Sequence, residues 1–343
     1  MRPTSTTAAV YHAAGDLRLE ELPLPPLERG EMLIRIGACG LCPGEIMDWY
    51  MQRKAPVPLG HEPVGQVIDV TDGVAFRPGD RVFVHHHAPC LVCRFCARGD
   101  FVHCPTWRPR RLVPGGLATH AIVQPPAVAA DTMRVPDELS DDVATFVEPL
   151  ACVVKSLRRA RVRADDRVLV IGLGVMGLLH LLAVRALARP GLLLAADRVP
   201  ERLAAGGRIA DATIDTSAET LDDGVARATG NAGADVVIVC PGSVEALDAG
   251  LRVVAPGGTL AVFAPTAPGV LWPVPVHDLF FRETTLVPSY SAGPTDTREA
   301  MRLLAEGLPV EPLITHRLPL REAARGYALV RAGGAALKVI VRP

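Results

Sequence analysis

The first half of the chain alternates short apolar runs with turn-forming residues. The runs at 32–36 and 64–70 contain β-branched residues and are separated by segments rich in Pro and Gly. Short runs of this kind between turn signals indicate strands. The pattern therefore predicts a mainly β region over residues 1 to about 150.

From Arg167 the pattern changes to apolar strands that alternate with helices rich in Ala, Leu and Arg. The strand candidates are 168–171, 192–196, 212–214, 236–239 and 259–263. Strands that alternate with helices favour a parallel, doubly wound sheet. After about Ser291 we expect a helix around 300–304, an apolar segment at 313–318, a further helix and a closing strand at 337–341.

The composition excludes several classes of protein. The chain has 343 residues, of which 49% are hydrophobic and 21% charged, and its formal net charge is -1. This length suits two domains, and the near-neutral charge argues against a nucleic-acid partner. The longest uncharged run, 168–184, contains glycines and a His, so strand, turn and helix explain it better than a membrane span. Because the N-terminal residues lack the apolar core of a signal peptide, we expect a cytoplasmic protein.

Four of the eight cysteines are clustered in one short segment. They are Cys90, Cys93, Cys96 and Cys104. This spacing lets one loop place four thiolates around a tetrahedral Zn²⁺. Four sulfur ligands leave no open coordination position, so we expect a structural zinc that holds the loop together. In a reducing compartment, such clustering favours thiolate ligation over disulfide bonds.

A glycine-rich segment follows the first strand of the second region. Gly172, Gly174 and Gly177 have the Gly-x-Gly-x-x-Gly spacing between a predicted strand and a predicted helix. The first Gly permits a tight turn, the second lets a pyrophosphate approach the backbone, and the third lets helix and strand pack closely. The helix N-terminus favours the anion. We therefore predict a dinucleotide site whose loop includes Val175 and Met176.

Asp197 ends the next predicted strand, about twenty residues after the glycine-rich segment. A carboxylate here accepts hydrogen bonds from the adenosine ribose and repels a 2′-phosphate, so it favours NAD over NADP. Two other interpretations stay open: Asp197 as a turn or N-cap residue before Pro200, and Arg198 as a phosphate-binding residue. Arg202 and Cys240 complete the predicted cofactor-binding set, although plain packing is the favoured explanation of Cys240.

Three further segments carry candidate metal ligands, namely Cys42, the pair His61-Glu62, and Glu148. Each has an ordinary explanation alone, because a lone Cys is usually a small buried hydrophobe and a lone His a satisfied core residue. Together with the cysteine cluster and the glycine-rich loop, in this order, they resemble the zinc-dependent medium-chain dehydrogenase/reductase family over essentially the whole chain. The resemblance points to its polyol, threonine and secondary-alcohol branch, similar to sorbitol dehydrogenase.

The resemblance implies a set of catalytic-site residues. Cys42, His61 and Glu148 would bind a catalytic zinc, and Glu62 would lie beside it as an exchangeable ligand. This mixed donor set leaves one position open, as a Lewis-acid zinc requires. Glu45 would hydrogen-bond to His61 and fix its tautomer.

The resemblance also implies an architecture and an activity. We expect an α/β protein with a GroES-like β-rich catalytic domain over 1–151, completed by 291–343, and a Rossmann domain over 152–290. The family implies a homotetramer or homodimer with two Zn²⁺ per chain. The predicted function is reversible NAD-linked oxidation of a secondary alcohol, from a polyol, cyclitol or sugar-like compound, to the ketone. The alternatives are a threonine or amino-alcohol dehydrogenase and a zinc- and NAD-binding member with atypical chemistry.

The chain departs from the family where many members carry a Ser/Thr and a His that relay the alcohol proton to solvent. Gly44 and Met47 occupy these positions, and neither side chain can carry a proton. We therefore expect the proton to leave through water and one of the nearby carboxylates, Glu62, Glu45 or Asp48.

Other potential metal ligands fit less well. Cys39 is an alternative first ligand, but in the family pattern the second thiol binds the metal. A strand containing His85, His86 and His87 would place adjacent rings on opposite faces, so the three should not meet one ion. The favoured interpretation is a strand that leads into the cysteine cluster.

Overall fold

The structure, a computed structural model, describes residues 2–109 and 111–343. These residues form two compact units. The first unit comprises the chain up to Ala151 together with Ala292–Pro343, and the second comprises Cys152–Ser291. The chain therefore leaves the first unit once and returns to it.

The first unit begins as a series of short strands. They are β1 (Ser5–Ala13), β2 (Asp16–Pro23), β3 (Met32–Gly40), β4 (Val57–Pro58), β5 (Glu62–Val70), β6 (Arg81–Val84), β7 (Leu112–Val113), β8 (His120–Val123) and β9 (Thr132–Arg134). The short helices among and after them are α1 (Asp48–Met51), α2 (Arg94–Ala97), α3 (Pro125–Ala130) and α4 (Asp141–Ala144).

Strands and helices alternate in the second unit, which the chain enters along α5 (Val147–Ala160). The elements that follow are β10 (Arg167–Ile171), α6 (Val175–Leu187), β11 (Leu192–Asp197), α7 (Pro200–Gly206), β12 (Ala212–Asp215), α8 (Leu221–Thr229), β13 (Ala234–Val239), α9 (Val244–Arg252), β14 (Val254–Val262), α10 (Val276–Arg282) and β15 (Thr285–Pro288). The returning segment adds α11 (Pro294–Ala305), β16 (Ile314–Pro319), α12 (Ala323–Ala332) and β17 (Lys338–Arg342) to the first unit.

Two sheets form the framework of the first unit. The larger has the order β16-β17-β3-β5-β6-β9, with β8 paired to β3 and β7 to β8, and the smaller has the order β2-β1-β4. In β3, Ile34 and Ile36 are buried while Arg35 between them is exposed. Met32, Ile34 and Ile36 share one face of the strand and join a core cluster with apolar residues of β5, β6 and β8, whereas Leu33 on the other face packs in a second cluster.

The register of the larger sheet positions the site described below. Gly40, at the end of β3, pairs with Glu62 on β5 and with Ile340 on β17. The last strand of the chain therefore runs beside the segment that precedes Cys42.

The second unit contains a six-stranded parallel sheet in the order β12-β11-β10-β13-β14-β15. Its central strands are buried at nearly every position, as parallel strands covered on both faces should be. The predicted α/β class with a doubly wound parallel sheet is confirmed. The edge strand β15 is additional to the predicted strands. Among the described residues, no helix combines the length and apolarity needed to cross a membrane.

Candidate active site

Cys42 lies directly after β3, where the chain turns into a short 3-10 helix, Pro43–Ile46. It occupies the N-cap position, and its Sγ accepts a hydrogen bond from the Gly44 amide at 3.3 Å. Pro43 suits the first position of a helix because its fixed backbone angle is already helical. The local sequence thus turns the Cys42 thiol away from the strand.

His61 is held by a buried carboxylate. Its Nδ1 lies 2.9 Å from Glu45 Oε1, which also accepts the Gly60 amide at 2.9 Å, and Tyr327 donates to the second oxygen of Glu45. Burial alone would raise the pKa of Glu45, but the His61 charge and these hydrogen bonds lower it to about 2. Because an ionised Glu45 accepts the Nδ1 proton, Nε2 of His61 is the atom left for a metal. The predicted contact between Glu45 and His61 is present.

Glu62 has a buried partner that the sequence analysis did not identify. Its carboxylate forms an ion pair with Lys338 of β17, and both side chains are 1% exposed. A Cβ at Gly40 would overlap both charged groups, so this glycine provides the space for the pair. Burial raises the pKa of Glu62, while the Lys338 charge opposes that shift. A charged residue at the start of an otherwise apolar closing strand was the available signal.

The ligand atoms of Cys42, His61 and Glu62 lie within 4.8 Å of one another. Glu148, at the start of α5, falls in a second group with His85 and His86, also within 4.8 Å. Burial raises the pKa of the Cys42 thiol, the His61 charge lowers it, and the charges of Glu62 and Glu148 raise it further. Glu148 is therefore a neighbour of the first group as well as a member of the second.

Cys39 belongs to the hydrophobic core. It is fully buried in a cluster with Leu41 and Met51, and its thiol donates to the Gly40 carbonyl at 3.5 Å. Burial raises the pKa of this thiol, which disfavours the thiolate that a metal requires. Burial raises the pKa of Cys42 as well, so geometry decides between the two cysteines: among the described residues, Cys42 is the one whose ligand atom groups with those of His61 and Glu62.

The expectation that adjacent histidines after β6 face opposite ways was wrong. Strand β6 ends at Val84, so strand alternation does not apply to the residues that follow. The rings of His85 and His86 have centroids 5.1 Å apart, and the His86 ring lies 4.9 Å from that of His61. Two of the three histidines therefore share one region with Glu148.

The cysteine cluster forms the predicted arrangement of four sulfurs. Ligand atoms of all four residues lie within 4.8 Å of one another, and Cys93 Sγ is 3.5 Å from Cys96 Sγ. Cys104 Sγ accepts the Cys90 amide at 3.2 Å. Trp107, 1% exposed, packs against the cluster. No disulfide links any of the eight cysteines, all of which belong to the described part of the chain.

The glycine-rich loop joins β10 to α6, and each glycine has its own steric reason. Gly172 has a positive φ of 85°, and a Cβ there would lie 2.7 Å from Pro241. A Cβ at Gly177 would overlap the Gly172 carbonyl oxygen. Gly174 caps α6, and the nearest atom to a Cβ at this position is Arg202 Nη1 at 3.9 Å. The space in front of the helix N-terminus is therefore open.

Asp197 links this loop to the end of β11. Its Oδ2 accepts the Leu173 amide at 2.6 Å, and its Oδ1 accepts the amides of Arg198 and Val199 at 2.7 and 2.9 Å. It is 8% exposed. The carboxylate is thus held at the carboxyl ends of two neighbouring parallel strands, where nucleotides bind in such sheets.

Cys240 and Arg202 were also predicted to bind the cofactor. Cys240 follows β13, and its Sγ lies 3.8 Å from Nδ1 of the buried His180. Burial raises the pKa of Cys240 to about 12, with a further contribution from the Asp197 charge. This thiol is therefore neutral, in line with a packing role. Arg202 lies on α7.

The second unit has the fold of a nucleotide-binding domain, and the first carries a four-cysteine cluster and a mixed group of zinc-type ligands. Together they define the class of zinc-dependent oxidoreductases. Residues 28–137 match the alcohol dehydrogenase GroES-like domain family, and residues 175–306 match the zinc-binding dehydrogenase family. The chain belongs to the zinc-dependent medium-chain dehydrogenase family. The predicted family, fold class and oxidoreductase activity are confirmed.

Relatives match over nearly the whole chain. Erythritol/L-threitol dehydrogenase of Mycolicibacterium smegmatis is 29% identical, covering 99% of this chain and 98% of the relative. Sorbitol dehydrogenase of Bombyx mori is 28% identical, covering 98% and 99%. Among solved structures, the alcohol dehydrogenase TADH from Thermus sp. ATN1 is 30% identical, covers 98% of this chain and 99% of its own, and has a TM-score of 0.87. A zinc-binding dehydrogenase of Sinorhizobium meliloti bound to NADP is 25% identical over 99% and 100%, with a TM-score of 0.86.

Proposed function

We propose that this chain oxidises a secondary hydroxyl group of a polyol or related sugar alcohol reversibly to a ketone, with Zn²⁺ and NAD⁺. The observation that carries the proposal is the mixed sulfur, nitrogen and oxygen donor set of Cys42, His61 and Glu62. It occurs in a chain whose relatives include erythritol/L-threitol and sorbitol dehydrogenases.

The donor sets fit two zinc ions of different roles. Three protein ligands of mixed type are typical of catalytic zinc, whereas four cysteines are typical of structural zinc. Cys42, His61 and a carboxylate from Glu62 or Glu148 would hold the first ion. The cysteine cluster would hold the second.

The chain's own residues prepare the reaction. When bound, zinc lowers the pKa of the substrate hydroxyl and NAD⁺ accepts the hydride. Glu45 fixes the tautomer of His61, and Tyr327 with the Gly60 amide fixes Glu45. Lys338 offsets the buried charge of Glu62. These contacts hold the ligand atoms in place before a metal arrives, so that little reorganisation accompanies the reaction.

We propose that the alcohol proton leaves through water and Glu62, because Gly44 and Met47 replace the usual relay. Glu62 lies beside the ligand atoms of Cys42 and His61, whereas Asp48 belongs to none of the described groups of metal-type ligands and pairs with Arg331 at the surface, so Asp48 is the weaker candidate. Glu45 is also weaker, because its oxygens are occupied by His61, Gly60 and Tyr327. A Glu62→Gln variant should slow hydride transfer and change its pH profile, and an unchanged profile would rule this route out.

We propose that the chain forms a homo-oligomer through the α10 surface, defined as Leu271, Val276, Phe280 and Phe281. These side chains are 72–86% exposed, and they lie close in sequence to the edge strand β15. The rings of Phe280 and Phe281 have centroids 5.2 Å apart, and large apolar side chains exposed together usually mark an interaction site. Light scattering after size exclusion should show a dimer or tetramer, and Phe280→Asp with Phe281→Asp should give monomers. A parent chain that is already monomeric would contradict the proposal.

The function is tested by following NADH formation by the zinc-loaded protein. The panel contains erythritol, threitol, sorbitol, inositols, simple secondary alcohols and threonine, each with NAD⁺ and with NADP⁺. We expect turnover with one or more polyols and a preference for NAD⁺. Turnover with threonine alone would indicate an amino-alcohol dehydrogenase instead. No turnover by protein that binds zinc and NADH would overturn the proposed activity.

A further inference from the structure

His85 is fully buried and is held by a buried carboxylate. Its Nδ1 lies 2.8 Å from Asp131 Oδ2, and the other oxygen of Asp131 accepts the Thr297 hydroxyl at 2.5 Å. Asp131 is 2% exposed and Thr297 is fully buried. Because an ionised carboxylate only accepts hydrogen bonds, the arrangement places the His85 proton on Nδ1.

The opposite ring nitrogen of His85 then carries a lone pair. Nε2 is buried without a hydrogen-bond partner, and it faces Glu148 Oε1 at 3.9 Å. Buried polar atoms are almost always satisfied, and two electron-rich atoms facing each other in a dry interior repel. A cation beside Nε2 would satisfy this lone pair and would be attracted by the carboxylate. Tetrahedral zinc ligands lie roughly 3.4 Å apart, so a small inward movement would bring these two atoms to that spacing.

His85 repeats the arrangement found at His61. In both, Nδ1 lies within 2.9 Å of a buried carboxylate, Asp131 for His85 and Glu45 for His61. A carboxylate that holds one nitrogen of a His is the usual support for a His whose other nitrogen binds a metal. The supporting residues are distinct, so the two histidines are prepared independently.

The charge balance of this region also favours a cation. Four buried carboxylates of the first unit, those of Glu45, Glu62, Asp131 and Glu148, are each at most 5% exposed. Lys338 offsets one of them. The negative charge of these carboxylates attracts a divalent cation, and the attraction is stronger in a buried region than in water.

We propose that His85, His86 and Glu148 form a further divalent-cation site, selective for Zn²⁺-like ions, adjoining the Cys42–His61–Glu62 group. Their ligand atoms already lie within 4.8 Å of one another. Two imidazoles and one carboxylate are a borderline donor set that suits Zn²⁺ or Co²⁺ better than Ca²⁺ or Mg²⁺. Glu148, which neighbours both groups, is the residue that would join the two sites. The site raises the expected zinc content from two ions per chain to three.

The test is a metal count on the intact protein. The zinc-loaded chain is dialysed against metal-free buffer, and zinc is measured by mass spectrometry against protein concentration. We expect three equivalents in the parent chain and two in His86→Gln and in His85→Gln. The control, His277→Gln, changes an exposed His on α10 and should retain three. Two equivalents in the parent, or three in both site variants, would overturn the proposal.

Cobalt distinguishes loss of this site from loss of the neighbouring one. Co²⁺ at Cys42 or at the cysteine cluster gives thiolate-to-metal charge-transfer absorption, whereas a site made of His and Glu gives none. His86→Gln should lose one equivalent of Co²⁺ with the charge-transfer absorption unchanged. If the charge-transfer absorption decreases together with the Co²⁺ content, His86 binds the Cys42 metal and the proposal fails. His86 is partly exposed, so this variant remains informative if the fully buried His85→Gln does not fold. The count does not depend on which alcohol is the substrate.

Discussion

Asp197 accepts three backbone amides, which limits what its carboxylate can offer a ribose. A carboxylate has about four lone-pair positions, and the amides of Leu173, Arg198 and Val199 occupy three of them. One position is left for a ribose hydroxyl, while the negative charge still opposes a 2′-phosphate. Sequence spacing identified this residue, but its hydrogen bonds to two loops depend on the pairing of β10 with β11.

We predict that Asp197→Asn lowers the preference for NAD⁺ over NADP⁺ by about tenfold or more, which corresponds to about 1.4 kcal/mol. The amide removes the charge that repels the 2′-phosphate but preserves the size of the side chain. The measurement is the ratio of kcat/KM for the two cofactors. Asp215→Asn, at the end of the next strand, is the control and should leave the ratio unchanged. An unchanged ratio in Asp197→Asn would mean that Asp197 stabilises the loop but does not select the cofactor.

Lys338, the partner of Glu62, could not be predicted from the local sequence. It is separated from Glu62 by 276 positions, and the two meet because β17 and β5 flank the same strand, β3. Motif spacing identified Glu62, since that residue adjoins His61. The partner depended on a pairing between distant strands, which local patterns do not encode.

We predict that Lys338→Met lowers the free energy of unfolding by about 3–5 kcal/mol, because it leaves a buried carboxylate without its counter-charge. Adding Glu62→Gln should restore most of that loss. Urea unfolding at a fixed free zinc concentration measures both variants. Arg331→Met breaks the exposed pair with Asp48 and should cost about 1 kcal/mol or less. A similar loss of unfolding free energy in Lys338→Met and Arg331→Met would show that the buried ion pair stabilises the protein no more than the exposed one.

At the level of elements, the sequence predicted best where local rules decide the structure. The central strands of the parallel sheet are nearly continuous apolar runs, and the turn from β10 to α6 needs glycines for steric reasons that the spacing reveals. Prediction failed at the end of β6, where the histidines continue an apparent strand pattern after the strand has ended. The contact with Asp131 that shapes this segment comes from elsewhere in the chain.

The glycines of the β10–α6 turn should separate stability from cofactor binding. Gly177→Ala places a Cβ against the Gly172 carbonyl, and we expect a loss of roughly 2 kcal/mol or more in stability. Gly174→Ala meets no atom closer than 3.9 Å, so its stability should stay within about 1 kcal/mol of the parent. Its NADH affinity should nevertheless fall about tenfold or more, because the methyl group lies where the pyrophosphate approaches.

Thermal unfolding and NADH fluorescence titration measure the two effects side by side. Each variant serves as the other's control, since both add one methyl group to the same turn. Equal NADH affinity in the parent and Gly174→Ala would mean that the dinucleotide does not approach this loop.

At the scale of the whole molecule, the change in sequence pattern near residue 150 reflects two ways of burying apolar surface. The β-rich first unit divides its buried apolar residues among several clusters between short antiparallel strands, whereas the second buries whole parallel strands beneath helices. That difference can be read directly from a sequence. The pairs that complete the candidate site, such as Lys338 with Glu62 and His85 with Asp131, join segments far apart in the chain. They become visible only when the sheets are assembled.

The second unit should lose stability in acid because of one buried imidazole. His180 is fully buried on α6, and burial lowers its pKa to about 4, although its hydrogen bond to Met176 opposes the shift. In the unfolded chain the pKa is about 6.5. Between these values the unfolded state binds more protons than the folded state, so stability falls as pH decreases from 6.5 towards 4.

We predict that the second unit is roughly 2 kcal/mol less stable at pH 5 than at pH 7.5 and that His180→Leu removes most of this difference. Trp272 is the reporter, since it packs against the core of this unit, in a background carrying Trp49→Phe and Trp107→Phe. Urea unfolding followed by its fluorescence at both pH values gives the comparison. His277→Gln, which alters an exposed His, should keep the full pH dependence. All the described groups of zinc-type ligands belong to the first unit, so a pH effect that persists in His180→Leu would have to come from other groups of the second unit.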